Sequence, residues 1–304
     1  MIRVEKIECD DFRDCRDLLD SYWRAGRQGR WQPIFDYRWQ RDESHCGLVL
    51  KDGDQIVGFL GMVFSRRRIN GKTEKFCNLT NWFVQERYRN RAISLLLPLF
   101  AMRDYTITDL SPSRTVYRIQ QKLGFKDLDA RGRILLPVGR RLFEPDPPHP
   151  RITHEPSQVR EKLEGEHLRI FNDHVDYPCC HLLAADRERY CYLIYTRQKN
   201  RRMTYAHVHF ISEPDFFALA YRDIRASILA ESKAQFIMIE SRLVRGLSLP
   251  LSFSLSFRAP KQYLSPRLQP EQIDNLYSEI ILLNLRTHAR LKYLLRDLRR
   301  RLLG

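Results

Sequence analysis

Trp82-Phe83-Val84-Gln85-Glu86-Arg87-Tyr88-Arg89-Asn90-Arg91-Ala92-Ile93-Ser94-Leu95-Leu96 is the stretch on which the fold turns. Its opening residues are apolar and suit a strand. A short basic loop follows, and the apolar spacing from Ala92 onward predicts a helix over 89–102. Pro98 inside that helix predicts a kink or an early end. A helix start leaves backbone N–H groups free and carries the positive end of the peptide dipoles, so it can receive a diphosphate without a dedicated side chain. Ala92 and Ser94 are small enough for phosphates to approach the main chain. Arg87, Arg89 and Arg91 surround the same place with positive charge.

The flanks agree with a strand–loop–helix unit inside a larger α/β domain. Upstream, Phe12, Cys15, Leu18, Leu19 and Tyr22 recur at helical spacing after Asp10 and Asp11. Gly47–Lys51, the turn Asp52-Gly53-Asp54 and Gln55–Phe64 read as a hairpin. Asn70-Gly71 turns into a third strand near 75–84. Downstream, a strand is expected near 105–110. Ser111-Pro112-Ser113 then starts a helix that Gly124 ends, and a last strand covers 131–138.

Three of these segments together resemble the GNAT superfamily of acyltransferases. Its pyrophosphate loop is written Gln/Arg-x-x-Gly-x-Gly/Ala. Here Arg89 holds the first position, Ala92 the usual glycine and Ser94 the last small residue. Ser113–Phe125 is similar to the closing helix of that family, ending in Leu123-Gly124-Phe125. Ser113 replaces the usual asparagine, and Gln120 replaces the usual tyrosine that protonates the departing thiolate. Ile56-Val57-Gly58-Phe59 is similar to the family's central strand. The resemblance covers about residues 3–138.

The resemblance implies a mixed α/β fold with mostly antiparallel sheet, and acetyl-CoA or another acyl-CoA as donor. It also implies that Phe83, Val84, Arg87, Arg89, Asn90, Arg91, Ala92, Ile93 and Ser94 hold the cofactor. Main-chain N–H groups near Phe83 and Val84 would hold the thioester carbonyl where the strand splays from its neighbour. Acyl transfer further needs a base for the acceptor and a proton for the thiolate. Asp109, at the end of the strand after the loop helix, is the candidate base; a turn or cap role is its structural alternative. Tyr117, one helical turn before Gln120, is the candidate thiolate partner; the alternative is a packed helix tyrosine. Direct attack on the thioester is expected, with an amino sugar, a polysaccharide precursor or an amino-acid derivative as acceptor. The two departures at Ala92 and Gln120 leave open a non-catalytic GNAT-like module that binds CoA or a partner protein.

Glu144-Pro145-Asp146-Pro147-Pro148-His149-Pro150 reads as a linker. It divides the chain into 1–143 and 151–304. The second part holds a helix from Ser157 to Phe171, strands over 190–197 and 203–211, a helix over 214–231 and a strand over 236–240. This order echoes the first part and reads as a second, degenerate GNAT-like unit. Its end, 271–303, is expected to be a long helix with Leu291, Leu294, Leu295, Leu298 and Leu302 on one side among many arginines. Such a helix packs on the protein, lies on an anionic membrane or binds a partner protein.

Two further groups carry residue types suited to chemistry. Tyr205, His207 and His209 alternate onto one strand face. A zinc site there lacks a third ligand, so no metal is expected. Cys179-Cys180-His181 suggests a thiol nucleophile but has no acidic partner in sequence.

The chain has 304 residues, 43% hydrophobic and 29% charged, which favours two globular domains. No run of about 18 apolar residues is present, and the first residues lack an apolar leader core. Seven scattered cysteines suit a reducing cytoplasm, with peripheral contact at the inner membrane face as an extension. A net charge of +15 favours anionic partners. CoA is one such partner, and no nucleic-acid motif accompanies the charge, so nucleic acid is disfavoured.

Overall fold

The computed structural model describes residues 1–22, 31–137, 150–200 and 203–286. The chain divides into two compact units. Met1–Asp127, Lys261–Gln272 and Tyr277–Leu285 form the first; Leu128–Pro260 and Ile273–Leu276 belong to the second.

In the first unit β1 (Ile2–Glu8) leads into α1 (Phe12–Tyr22), then β2 (His45–Asp52), β3 (Gln55–Ile69) and β4 (Lys72–Val84). β1 to β4 are antiparallel neighbours in chain order. The hairpin predicted at 52–54 closes between Asp52 and Gln55, and Asn70-Gly71 closes the next one with φ of 50° and 78°. Both angles are those a two-residue hairpin turn of matching twist requires. β5 (Tyr105–Asp109) then pairs parallel to β4, and α2 (Arg114–Lys122) follows. Ser113 caps α2 through Val116 N, and Gly124 beyond its end has φ of 90°. Leu48, Leu50, Leu60, Met62, Phe64, Leu79, Leu96 and Ile107 are among the residues of the core.

The crossover between β4 and β5 differs from expectation. Residues 86–101 form two 3-10 helices, Glu86–Leu95 and Leu97–Ala101, rather than one α-helix over 89–102. Pro98 lies in the first turn of the second helix, where a missing N–H costs nothing. A ten-residue 3-10 run is uncommon, because its i to i+3 hydrogen bonds have poorer geometry.

The second unit begins with β6 (Lys126–Leu135, from Leu128), β7 (Arg151–Thr153), α3 (Pro156–Lys162), α4 (Gly165–His174) and β8 (Cys180–Ala185). It continues with β9 (Tyr190–Asn200), β10 (Met203–Ile211), α5 (Pro214–Leu219), α6 (Tyr221–Ser232) and β11 (Phe236–Glu240). The single helix expected over 157–171 is broken at Gly165, whose φ is 52°. β8, β9 and β10 are antiparallel, and β11 pairs parallel to β10. Both units thus build an antiparallel meander followed by one parallel strand after a helical crossover. That is the echo anticipated from the order of elements, and the fold is mixed α/β with two mixed sheets flanked by helices.

β12 (Ser252–Leu264) has no counterpart among the predicted strands. Its Gln262, Tyr263 and Leu264 pair antiparallel with Asp109, Thr108 and Ile107 in the first unit. In the second unit β6 pairs antiparallel with β11. Each unit therefore contains a strand from the far side of the expected 143/151 boundary. A division at 143/151 assigns 261–272 and 277–285 to the second unit, whereas they belong to the first.

The described part of 271–303 is not a long helix. It holds a 3-10 turn, Pro270–Gln272, and the four-residue α7, Glu279–Leu282. Tyr277 and Asn284 have φ of 55° and 45°, left-handed values that no helix carries through. The linker at 144–149 and the leucine-faced stretch beyond 286 lie outside the described residues.

Candidate active site

β4 and β5 share a ladder only from Lys75↔Tyr105 to Leu79↔Asp109. β5 ends there, while β4 continues to Val84. At that point Asn81 has φ of 47°, and the β3–β4 register slips between Phe59↔Phe83 and Gly61↔Thr80. This is a bulge: two β4 residues oppose one on β3, and the strand bends. Thr80–Val84 is thus left without a partner on the β5 side. The two parallel strands make a fork, with Asp109 at its closed end.

A buried polar cluster fills that end. Gln120 Nε2 donates to Asp109 Oδ2 at 2.7 Å, and the Ser111 N–H donates to Oδ1 at 3.3 Å. Asn78 Nδ2 donates to Thr108 Oγ1 at 3.1 Å. The first residue of α7 adds a second carboxylate, Glu279. Its N–H donates to Asn78 Oδ1 at 3.0 Å, and its Oε1 accepts from Ser111 Oγ at 2.8 Å. Gln262, the cross-strand neighbour of Asp109, is also buried. Glu279 Oε2, Gln120 Oε1 and both polar side-chain atoms of Gln262 have no hydrogen-bond partner among the described residues. Each such buried orphan costs about 1–3 kcal/mol.

Burial alone pushes the Asp109 carboxyl up to about 6, against the two donors that hold its charge. Burial, and then the charge of Asp109, push Glu279 up to about 8. The Ser111 hydroxyl, the Glu279 N–H and the Lys261 cation oppose that rise. At neutral pH the two carboxyls therefore hold one proton between them, mainly on Glu279.

Of the residues predicted for chemistry, Asp109 lies in this cluster and Tyr117 does not. The Tyr117 hydroxyl donates to Asp127 Oδ2 at 3.1 Å and accepts from Gln121 Nε2 at 2.7 Å. The position expected for the family tyrosine, Gln120, instead turns inward onto Asp109. Asp109 also makes the turn contact to Ser111 that was its structural alternative, while the cap of α2 is Ser113. Glu279 had no signal of its own in sequence. It lay within a stretch that reads as a long helix.

The predicted cofactor residues gather around the first 3-10 helix. Main-chain N–H groups at Arg89–Ser94 fall inside it, where i to i+3 bonding uses them. The helix starts at Glu86, with Tyr88 N–H already bonded to Gln85 O, so the amides of its start without a main-chain partner among the described residues are those of Glu86 and Arg87. That is several residues upstream of the expected start. Arg87 reaches Gln55 Oε1 at 3.2 Å, Arg89 pairs with Glu86 at 3.3 Å, and the Ser94 hydroxyl bonds to Arg91 O at 2.6 Å. Arg91 and Ser94 line a cavity of about 310 Å³ with Ile2, Arg3, Val4 and Leu50. Ala92 packs on the core, Ile93 and Asn90 are exposed, Val84 is buried, and the Phe83 ring meets Tyr22 at 4.7 Å.

Residues 12–97 match the model of the Acetyltransferase (GNAT) family. Over these residues the chain is similar to GNAT acyltransferases. The GNAT fold is one of acyl-CoA-dependent acyl transfer, and solved structures extend the likeness of fold beyond the matched residues. A GCN5-related N-acetyltransferase from Anabaena variabilis aligns at a TM-score of 0.54 and 12% identity, covering 86% of this chain and 72% of its own. A conserved protein of unknown function from Enterococcus faecalis gives 0.54 and 12%, with 89% and 74% covered. A GCN5-related N-acetyltransferase from Kribbella flavida gives 0.51 and 12%, with 86% and 71% covered. No curated protein matches the chain.

In the second unit the two predicted histidines, His207 and His209, are fully buried with ring centroids 4.2 Å apart. His207 Nε2 is 3.6 Å from Glu240 Oε1, and His209 Nε2 is 2.9 Å from Thr196 Oγ1. Glu240 also accepts from Asn275 Nδ2 at 2.7 Å and pairs with Arg242. These groups serve one another in a packed network. Among the described residues no three His, Cys, Asp or Glu side chains are placed to hold a metal ion. The Cys179 thiol, pushed up to about 12 by burial, stays protonated at neutral pH, and the neighbouring His181 is driven down to about 4. That is the opposite of a thiolate–imidazolium pair.

Proposed function

We propose that this protein transfers an acyl group, most simply acetyl, from acyl-CoA to an amine or hydroxyl by direct attack on the thioester. The observation that carries this reading is the fork: a bulged β4 running free past the end of β5, with a buried carboxylate where the strands part. The donor's thioester lies along Thr80–Val84, and main-chain donors near Phe83 and Val84 polarise its carbonyl. Asp109 takes the acceptor's proton; burial leaves its carboxyl near 6, so it is ionised and still basic at neutral pH. The diphosphate sits at the start of the 86–95 helix, with the amides of Glu86 and Arg87 and the cations Arg87, Arg89 and Arg91, beside Asn90, Ala92, Ile93 and Ser94. An amino sugar, a polysaccharide precursor or an amino-acid derivative is the acceptor class. Seven free thiols suit a cytoplasmic setting.

A second reading is a non-catalytic module that binds CoA or a partner protein. It is favoured by the internal bonding of the 89–94 amides and by glutamine at position 120. Calorimetry with acetyl-CoA and thiol release in the presence of amines separate the two. Arg89→Glu is expected to weaken acetyl-CoA binding about tenfold, the loss of a charge-assisted phosphate contact. Unchanged affinity would remove the phosphate site from this helix.

A further inference from the structure

Gln120 leaves one task of acyl transfer without a residue. Something must give a proton to the sulfur when its bond to the acyl carbon breaks. Gln120 cannot do so, and Tyr117 points its hydroxyl at Asp127. The cluster at the end of the fork holds one further acid. Glu279 is brought there by residues 277–282 and fixed by two contacts, Ser111 Oγ on its Oε1 and Asn78 Oδ1 on its N–H. Its second oxygen, Oε2, is buried and unpartnered among the described residues. So are Gln120 Oε1 and the Gln262 amide beside Asp109. These orphaned atoms mark the place where a ligand would find hydrogen-bond partners.

We propose that Glu279 is the catalytic acid, giving its proton to the sulfur of the departing thiolate. The inference rests on the acyltransferase reading above. The acceptor nitrogen or oxygen forms its bond to the acyl carbon and loses a proton to Asp109. The carbon–sulfur bond breaks, its electron pair stays on sulfur, and sulfur takes the proton from Glu279. The carboxyl pair begins and ends with one proton, and its return from Asp109 to Glu279 restores the starting state. Two carboxyls whose environments hold them apart are the usual way one site supplies a base and an acid together. The charged groups facing Glu279 are Asp109, which raises it, and Lys261, which lowers it.

The test uses the full chain and acetyl-CoA. Affinity is read by calorimetry, and thiol release is followed from pH 5 to 9.5 with primary amines and amino sugars as acceptors. Wild-type kcat is expected to rise through about 6 and fall through about 8. Glu279→Gln should bind acetyl-CoA as the wild type does, lose about 100-fold or more in kcat and lose the alkaline fall. A residue that only supports the fold would lower kcat without removing that limb. If Glu279→Gln does not fold, Ser111→Ala replaces it. Loss of the hydroxyl that favours the charged form should move the alkaline limb to higher pH. Retention of the limb in Glu279→Gln, an unmoved limb in Ser111→Ala, or acetyl-CoA binding without thiol release to any acceptor overturns the proposal. Absence of acetyl-CoA binding overturns the acyltransferase reading, and this proposal with it.

Discussion

Asp109→Asn should make the first unit more stable at neutral pH than at acid pH, relative to the wild type. The folded chain holds the Asp109 carboxyl at about 6, against an ordinary 3.8, because burial penalises its charge. A group raised on folding contributes stability that is fully present below its unfolded value and is lost as pH rises through its folded value. From pH 4 to pH 7.5 the wild type therefore gives up about 2 kcal/mol at this residue, since at pH 4 the unfolded carboxyl is already partly ionised. Asparagine keeps an oxygen for the Gln120 amide and has no charge to bury, so the variant loses nothing over that range. Removal of the Asp109 charge also relieves Glu279, which acts in the same direction. The difference in unfolding free energy, variant minus wild type, should thus rise by about 2 kcal/mol or more between pH 4 and 7.5. Urea unfolding followed by tryptophan fluorescence reads this unit selectively, since Trp23, Trp31, Trp39 and Trp82 all fall within Met1–Asp127. A difference that stays flat with pH to within about 1 kcal/mol refutes the claim that Asp109 is buried with an uncompensated charge.

Two shorter predictions concern packing and thiol chemistry. A Cβ at Gly47 would lie 2.5 Å from Leu60 O and 3.0 Å from the Phe59 ring, so Gly47→Ala should cost about 1–3 kcal/mol in thermal or urea unfolding. A melting curve that overlays the wild type would show that the β2–β3 pair can spread. With Cys179 pushed up to about 12, its alkylation by iodoacetamide at pH 8 should run at least about 100-fold slower than that of free cysteine. Peptide mass spectrometry of the folded protein checks this, and rapid labelling would reopen the nucleophile reading.

The elements legible in the sequence are those whose causes are local. Asp52–Asp54 and Asn70-Gly71 announce their turns because few residues accept their backbone angles. Ser113 and Gly124 bracket α2 by capping, and β9, β10 and β11 show as apolar runs. The fork could be anticipated only through the resemblance, but Asp109 at its end followed from strand order. The crossover was misread because apolar spacing at 92–99 suits either helix type, and the choice between i to i+3 and i to i+4 bonding lies in packing against the core.

The sequence by itself determined the class of the fold, the order of most elements and the place of Asp109 at a strand end, since each depends on neighbours within a few turns of chain. Tertiary structure alone decided the exchange of strands between units and the pairing of Asp109 with Glu279. Ser111 and Glu279 are 168 residues apart, and no periodicity or cap can signal a contact over that distance. What joins them is the burial of polar groups that must satisfy one another. That condition exists only once the chain has folded.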